Sequence, residues 1–337
     1  MVNLFKIAVR NLLRYKRRTL LTASLITIGV VFVLVFTSVT GSFKAMMIGQ
    51  ITDSMLGHVQ VHRKGYVASI DNLPLNLNIK PKAYQKMTGI LESSPDIASF
   101  SPRLKFGGMF SNFTETTNIR LNGVYPDREF KTVPLLPSRI SEGKKTLSRG
   151  EIMIPALLAR GLKVKVGDAV VVVATNVDGS VNGKQFIVSG ILESATGPGG
   201  RDGYLHIEDA AEVLRMPEAE ISEVAIRLKD FSRISDAVRN LAGGLSGEVN
   251  KEGRSIFEVH SWEQLSPFFN IARMIDVMTF FIKIMLIAIV LISIMNVMVM
   301  AVYERIREIG TIAAIGTLPG KILSMFVVEG FCLGVLG

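Results

Sequence analysis

The chain divides into long stretches without charge and a central portion in which apolar and polar residues interleave. Thr19 to Phe43 is an uncharged run of 25 residues. At about 1.5 Å of rise per residue it crosses a hydrocarbon core of about 30 Å, which predicts a transmembrane helix. Ile284 to Tyr303 adds a second uncharged run of 20 residues. It extends upstream through Val277 to Lys283 once the lysine stem snorkels toward the headgroups. A third apolar stretch starts after Lys321 and the chain stops inside it, so the sequence reads as C-terminally truncated.

Between the first two runs the period changes. "HVQVH" alternates as a strand does, and further strands are expected at "IASFSPRLKFGGMF", "NIRLNGV", "AVVVVAT", "KQFIVSGIL" and "SEVAIRLK". Helical spacing marks "PKAYQKMTGILESSP", opened by Pro81, together with "IPALLARGL", "IEDAAEVLRM" and "RISDAVRNLAGGL". Strands and helices mix without a regular repeat, which predicts an α+β domain of two lobes. "KAMMIGQITDSML" prolongs the first membrane helix as a stalk up to Gly57, and "SWEQLSPFFNIARMIDVMTFF" mirrors it as one helix running into the second span.

The expected organisation is an amphipathic helix over 1–18, a span over 19–43, an outer α+β domain over 44–274, a second span over 275–303, a cytoplasmic segment over 304–320 and the start of a third span over 321–337. The fold class is a helical membrane protein carrying a large extracytoplasmic α+β domain.

Composition fits a chain that is part membrane and part globular, with 48% hydrophobic and 20% charged residues. The net charge of +9 raises the question of nucleic acid, and its placement answers it. Lys6, Arg10, Arg14, Lys16, Arg17 and Arg18 crowd the first 18 residues with no acid among them, whereas Lys44 to Met274 holds 28 Lys and Arg against 25 Asp and Glu. The basicity flanks a membrane helix, which puts the N-terminus in the cytoplasm and the central domain outside. The single cysteine, Cys332, lies in the third apolar run and leaves the outer domain without a disulfide.

Catalytic chemistry finds little support. His58 and His62 are four apart, but no third ligand stands in pattern, so no metal site is expected. "GTLPGKI" is GxxxGK with Ile322 where a phosphate loop needs a hydroxyl. No GxSxG elbow is present, and neither a catalytic residue nor a bound cofactor is expected. "GPGGRDG", Gly197 to Gly203, reads as a flexible loop. Inside the apolar runs, Asn296 is expected to face another helix, and Glu329 to find a helix partner, water or a chain interface.

"YERIREIGTIAAIGTLPGKI", Tyr303 to Ile322, packs four charges into its first six residues. As one helix over 303–318 it places Ile306, Ile309, Ala313 and Thr317 on a common face, and Gly310 and Gly316 each cost about 1 kcal/mol there unless close approach or a break offsets it. Such an element suits a groove in a soluble partner or a bed of membrane lipid.

"ERIREIGTIAAIGTLPGKI" is similar to the ER-x-REIG segment of the MacB/FtsX-like ABC transporter permeases, and "VVEGFCLGVLG" to their third helix. "AVRNLLRYKRRTLLT", "GHVQVHRKGY" and "EIMIPALLARGLKVKVGD" resemble the same family, lipoprotein-releasing and macrolide-exporting members included. Ala313, where a basic residue is common, and Thr317, where Ala is usual, depart from it.

The resemblance implies a MacB-type periplasmic core and a permease that pairs with an identical or a different second permease. It implies a separate cytoplasmic ATPase that holds the ATP, and movement transmitted to the outer domain in place of passage through the bilayer. By position it assigns ATPase coupling to Glu304, Arg305, Arg307, Glu308, Ile309 and Gly310, with Ala314 and Gly316 beside them. Export or release of a lipoprotein or other envelope cargo, with or without a periplasmic adaptor, is the leading expectation. Drug or peptide efflux, signalling to a cell-wall hydrolase and a membrane-anchored sensor remain alternatives.

Overall fold

The computed structural model describes residues 10, 14, 16–194, 201–249 and 255–336. Most of the expected amphipathic helix over 1–18, and Gly197 to Gly200 of the glycine loop, lie outside them. The chain forms two compact units, one from Met46–Ile271 and the other from the residues flanking it on both sides.

Met46–Ile271 is built on one ten-stranded sheet. Its strands are β1 (Val59–Arg63), β2 (Ile97–Ser111), β3 (Thr116–Val124), β4 (Ile140–Gly143), β5 (Glu151–Pro155), β6 (Ala169–Thr175), β7 (Val181–Leu192), β8 (Gly203–His206), β9 (Glu223–Leu228) and β10 (Phe257–Ser261). The order is β10-β1-β9-β2-β3-β8-β5-β7-β4, and β6 pairs with both β2 and β7.

The pairings β2-β3-β8-β5-β7-β6 therefore return to β2 and close a six-strand circuit. β10, β1 and β9 continue from the other half of β2 as an open sheet. The two expected lobes are thus two parts of one sheet. The fifteen residues of β2 run through both, and Arg103 is paired with Glu223 on one side and Val124 on the other.

Apolar alternation explains most of these strands, since Val170, Val172 and Ala174 of β6 are buried and the residues between them are not. Helices α2 (Pro81–Ser93), α3 (Pro126–Thr132), α4 (Ala156–Gly161), α5 (Ile207–Val213) and α6 (Ile234–Leu245) cover the sheet, after α1 (Lys16–Ile51), which leads into it. Pro81 opens α2 at its first turn. Val124, Val133, Leu136, Ile140, Leu147, Met153, Leu192 and Tyr204 form one core cluster.

A charged network runs through the same interior. Arg103 Nε donates to both carboxylate oxygens of Glu129 at 3.0 and 3.1 Å, and Nη1 donates to Glu223 Oε1 at 2.9 Å. Lys105 Nζ lies 3.5 Å and His62 Nε2 3.7 Å from Glu223 Oε2. Arg103, Glu129 and Glu223 are 3%, 0% and 0% exposed, so their charges interact with little screening. Burial acts most strongly on Glu223 and pushes its carboxyl up, but Lys105, His62 and Arg103 outweigh it and hold the group well below the usual 4.5.

The helical passage into the sheet and out of it is interrupted. α1 widens into a π-type turn, Thr52–Leu56, and stops at Gly57. On the return, α7 (Trp262–Leu265) is a separate turn capped reciprocally by Ser261 and Gln264, and α8 (Phe268–Glu304) begins anew. The expected single helix breaks at Ser266, held extended at φ −111° and ψ 125° by the proline that follows it. Ile51, Met55 and Leu56 pack against Met47, Leu265 and Phe268, which ties the two passages together within this unit.

In the flanking unit, the helix through Thr19–Leu56 and α8 are long and apolar enough to cross a membrane. Their contact is close: a Cβ built on Gly29 would lie 2.4 Å from Val290 Cγ2. Glycine at this position lets the backbones approach.

Candidate functional site

Arg305 is the single residue between α8 and the next helix, α9 (Ile306–Ala314). Its backbone at φ −107° and ψ 16° leaves the helical region, its N–H donates to the Val302 carbonyl at 3.1 Å, and its own carbonyl accepts from Ile309 at 2.9 Å. The expected continuous helix over 303–318 is therefore two helices, with Tyr303 and Glu304 on α8.

α9 ends in a Schellman cap, in which Gly316 N–H donates to Ala313 O at 3.0 Å and Thr317 N–H to Ile312 O at 3.3 Å. Gly316 takes φ +95°, where a Cβ is strained, so this glycine terminates the helix. Pro319 then opens α10 (Pro319–Leu336) at its first position.

No residue of α9 is buried. Glu304, Arg307, Glu308, Gly310 and Ala314 are exposed and Ile309 is half-buried. Ile306 on α9 and Ile315 and Leu318 just beyond it are 56%, 80% and 66% exposed. A Cβ on Gly310 would meet nothing within 4 Å, so no close approach within this chain accounts for this glycine. The arrangement offers an adhesive surface and no group placed for bond chemistry.

Arg305 is the exception among the residues that the resemblance assigned to coupling. It is 4% exposed and its Nη1 donates to Glu329 Oε2 of α10 at 3.2 Å, with Glu329 at 0%. Two residues singled out for different reasons, one by its motif and one by an acid in an apolar run, thus meet. Asn296 is exposed on α8, so the helix it was expected to face is not one of those described in this chain. Cys332 packs against Met298 and Val328 between α8 and α10.

The two histidines serve separate neighbourhoods. His58 Nδ1 accepts from Leu228 N–H at 3.1 Å and its Nε2 faces Asp53 at 3.4 Å, whereas His62 stacks on Tyr66 with ring centroids 5.4 Å apart. Among the described residues no cluster of three or more metal-ligating side chains occurs. The unit Met46–Ile271 also holds a cleft of about 810 Å³ whose lining includes Leu157, Leu158, Leu162, Arg120 and Arg201, residues that no local spacing in the sequence brings together.

Two family models match the chain: the MacB-like periplasmic core domain over residues 19–243 and the FtsX-like permease C-terminal segment over 280–337. The lipoprotein-releasing system transmembrane protein LolC of Neisseria meningitidis is 25% identical over 331 residues, 95% of this chain and 74% of that protein. The LolC of Xylella fastidiosa is 24% identical over 264 residues, 75% of this chain and 61% of that protein. The crystal structure of the periplasmic region of MacB from Actinobacillus actinomycetemcomitans superposes with a TM-score of 0.44 at 12% identity, covering 62% of this chain and 92% of that one.

Proposed function

Because the chain belongs to the MacB/FtsX-like permeases of ABC transporters, we propose that α9 docks on a separately encoded cytoplasmic ATPase whose ATP-driven closure moves the helices entering and leaving the outer domain. ATP is held by that partner, and this chain contributes neither a catalytic group nor a cofactor. The observation that carries the reading is the surface of α9, a helix with no buried residue on which exposed Ile306 and Ile312 stand with Arg307 and Glu308. Covering exposed apolar surface of this kind gains about 25 cal/mol per Å², and the charges give the contact its register.

A second permease, identical or not, covers the exposed mid-span amide of Asn296, which is costly against lipid. The protein lies in a bacterial cytoplasmic membrane with its N-terminus inside, its long helices in contact with lipid and the ten-stranded domain outside. The cargo is a lipoprotein or another envelope molecule, taken up directly or through an adaptor, a reading supported by the LolC relatives.

The test is co-purification. The ATPase comes down with the intact chain and not with Gly310→Trp, while that variant still inserts, because the bulky ring fills the surface that the glycine leaves open. Undiminished capture and ATP-linked release by Gly310→Trp overturns the docking role.

A further inference from the structure

We infer that Arg305 and Glu329 form a strut that sets the direction of α9, so that Arg305 is a positioning residue and not one that touches the ATPase. This rests on the docking reading above and refines it. Arg305 occupies the only non-helical position between α8 and α9, and its side chain turns away from the exposed surface to reach α10, 24 residues further along.

Without a restraint, a one-residue junction lets a short helix swing about the two backbone angles of that residue. A buried charge-assisted contact ties the junction to one point on α10, which apolar packing of the same volume does not. Glu329 is buried completely and Arg305 nearly so, so water competes little for the contact. Gly330 follows directly, and a Cβ there would lie 3.5 Å from Met298 Cε, which keeps α10 close to α8 at the level of the pair. The strut therefore joins three elements: the helix that spans, the helix that docks and the helix that follows. Force applied to α9 reaches α8 and α10 together.

Two measurements on the full chain in lipid vesicles test this. Spin labels on Met300→Cys and Ala313→Cys, in a Cys332→Ala background, report the angle between α8 and α9 without any ATPase. A single narrow distance is expected for the native pair, a broad distribution for Glu329→Gln and Arg305→Gln, and a narrow one again for Arg305→Lys, which keeps the cation. A narrow distribution in Glu329→Gln, or one in Arg305→Lys as broad as in Arg305→Gln, overturns the strut. Should Glu329→Gln not insert, Glu329→Asp, with its charge kept and its reach shortened, takes its place with the same broadening expected.

In the second measurement the ATPase still co-purifies with Glu329→Gln, but cargo release per ATP falls roughly tenfold. Unchanged release overturns the inference. If the unaltered chain captures no ATPase, the docking reading fails while the spin-label distances still decide the strut.

Discussion

Lys44 and Asp276 join the two long helices of the flanking unit, the ammonium lying 2.7 and 2.6 Å from the two carboxylate oxygens. The side chains are 30% and 57% exposed, so the pair contributes no more than about 1 kcal/mol. The close packing of Gly29 on Val290 carries more. Gly29→Leu is expected to lower stability by about 1–3 kcal/mol through overpacking, and Asp276→Ala by less than about 1 kcal/mol. Thermal melting of the purified chain followed by size exclusion ranks the two. Equal losses reverse the assignment.

The buried network predicts an acid limit to the outer unit. Glu223 is held well below 4.5 in the folded chain, so the unfolded chain takes up the proton first as pH falls. Stability from this group is complete above about pH 5 and drains away as the pH falls below about 4.5, toward the folded value. Trp262, the one tryptophan of the sequence and 3% exposed, reports unfolding directly. Its fluorescence in urea should give midpoints that are flat above about pH 5 and decline below it. A midpoint that rises on acidification contradicts the assignment.

Removing one partner from the same network exposes the asymmetry of buried charge. Arg103→Met leaves Glu129 and Glu223 without their shared guanidinium and is expected to cost about 3–5 kcal/mol in the same urea assay. A loss below about 1 kcal/mol means that water enters the network.

Gly316 and Gly310 should respond differently to substitution. Gly316→Ala puts a Cβ at φ +95° and costs about 1 kcal/mol in the cap of α9, which weakens ATPase capture by loosening the helix end. Gly310→Ala meets nothing in this chain and is expected to stabilise α9 by up to about 1 kcal/mol. Hydrogen exchange at Ala313 to Thr317 separates the cases, with faster exchange in Gly316→Ala alone.

Orientation is checked at the β6–β7 turn, where Asp178 is exposed. Asp178→Cys is expected to react with a membrane-impermeant thiol reagent in intact spheroplasts. Reaction only after lysis places the outer unit on the other side.

The period of the apolar residues located the long apolar helices and most of the long strands, because those elements satisfy their burial locally. β4, β5, β8 and β10 were not anticipated. Each is four or five residues long and is defined by a partner far away in sequence, as β8 is by Leu121 to Val124. The Arg103–Glu223 contact spans 120 residues and left no local trace. In Tyr303 to Ile322, motif and helical period placed the element but not its break. The break falls at Arg305, which meets Glu329 in a contact across helices that spacing alone does not contain.

β1 and β10 lie antiparallel with Val59 opposite Ser261, and the chain passes to α1 from one and to α7 and α8 from the other at that same end. Tension that separates the two passages would peel this ladder open rung by rung, a mode in which hydrogen bonds yield singly and at low load. The apolar clasp of Ile51, Met55 and Leu56 on Leu265 and Phe268 stands ahead of the first rung, so it and not the sheet meets the pull. The strength of the linkage is therefore that of a grease seal, tunable by a methyl group.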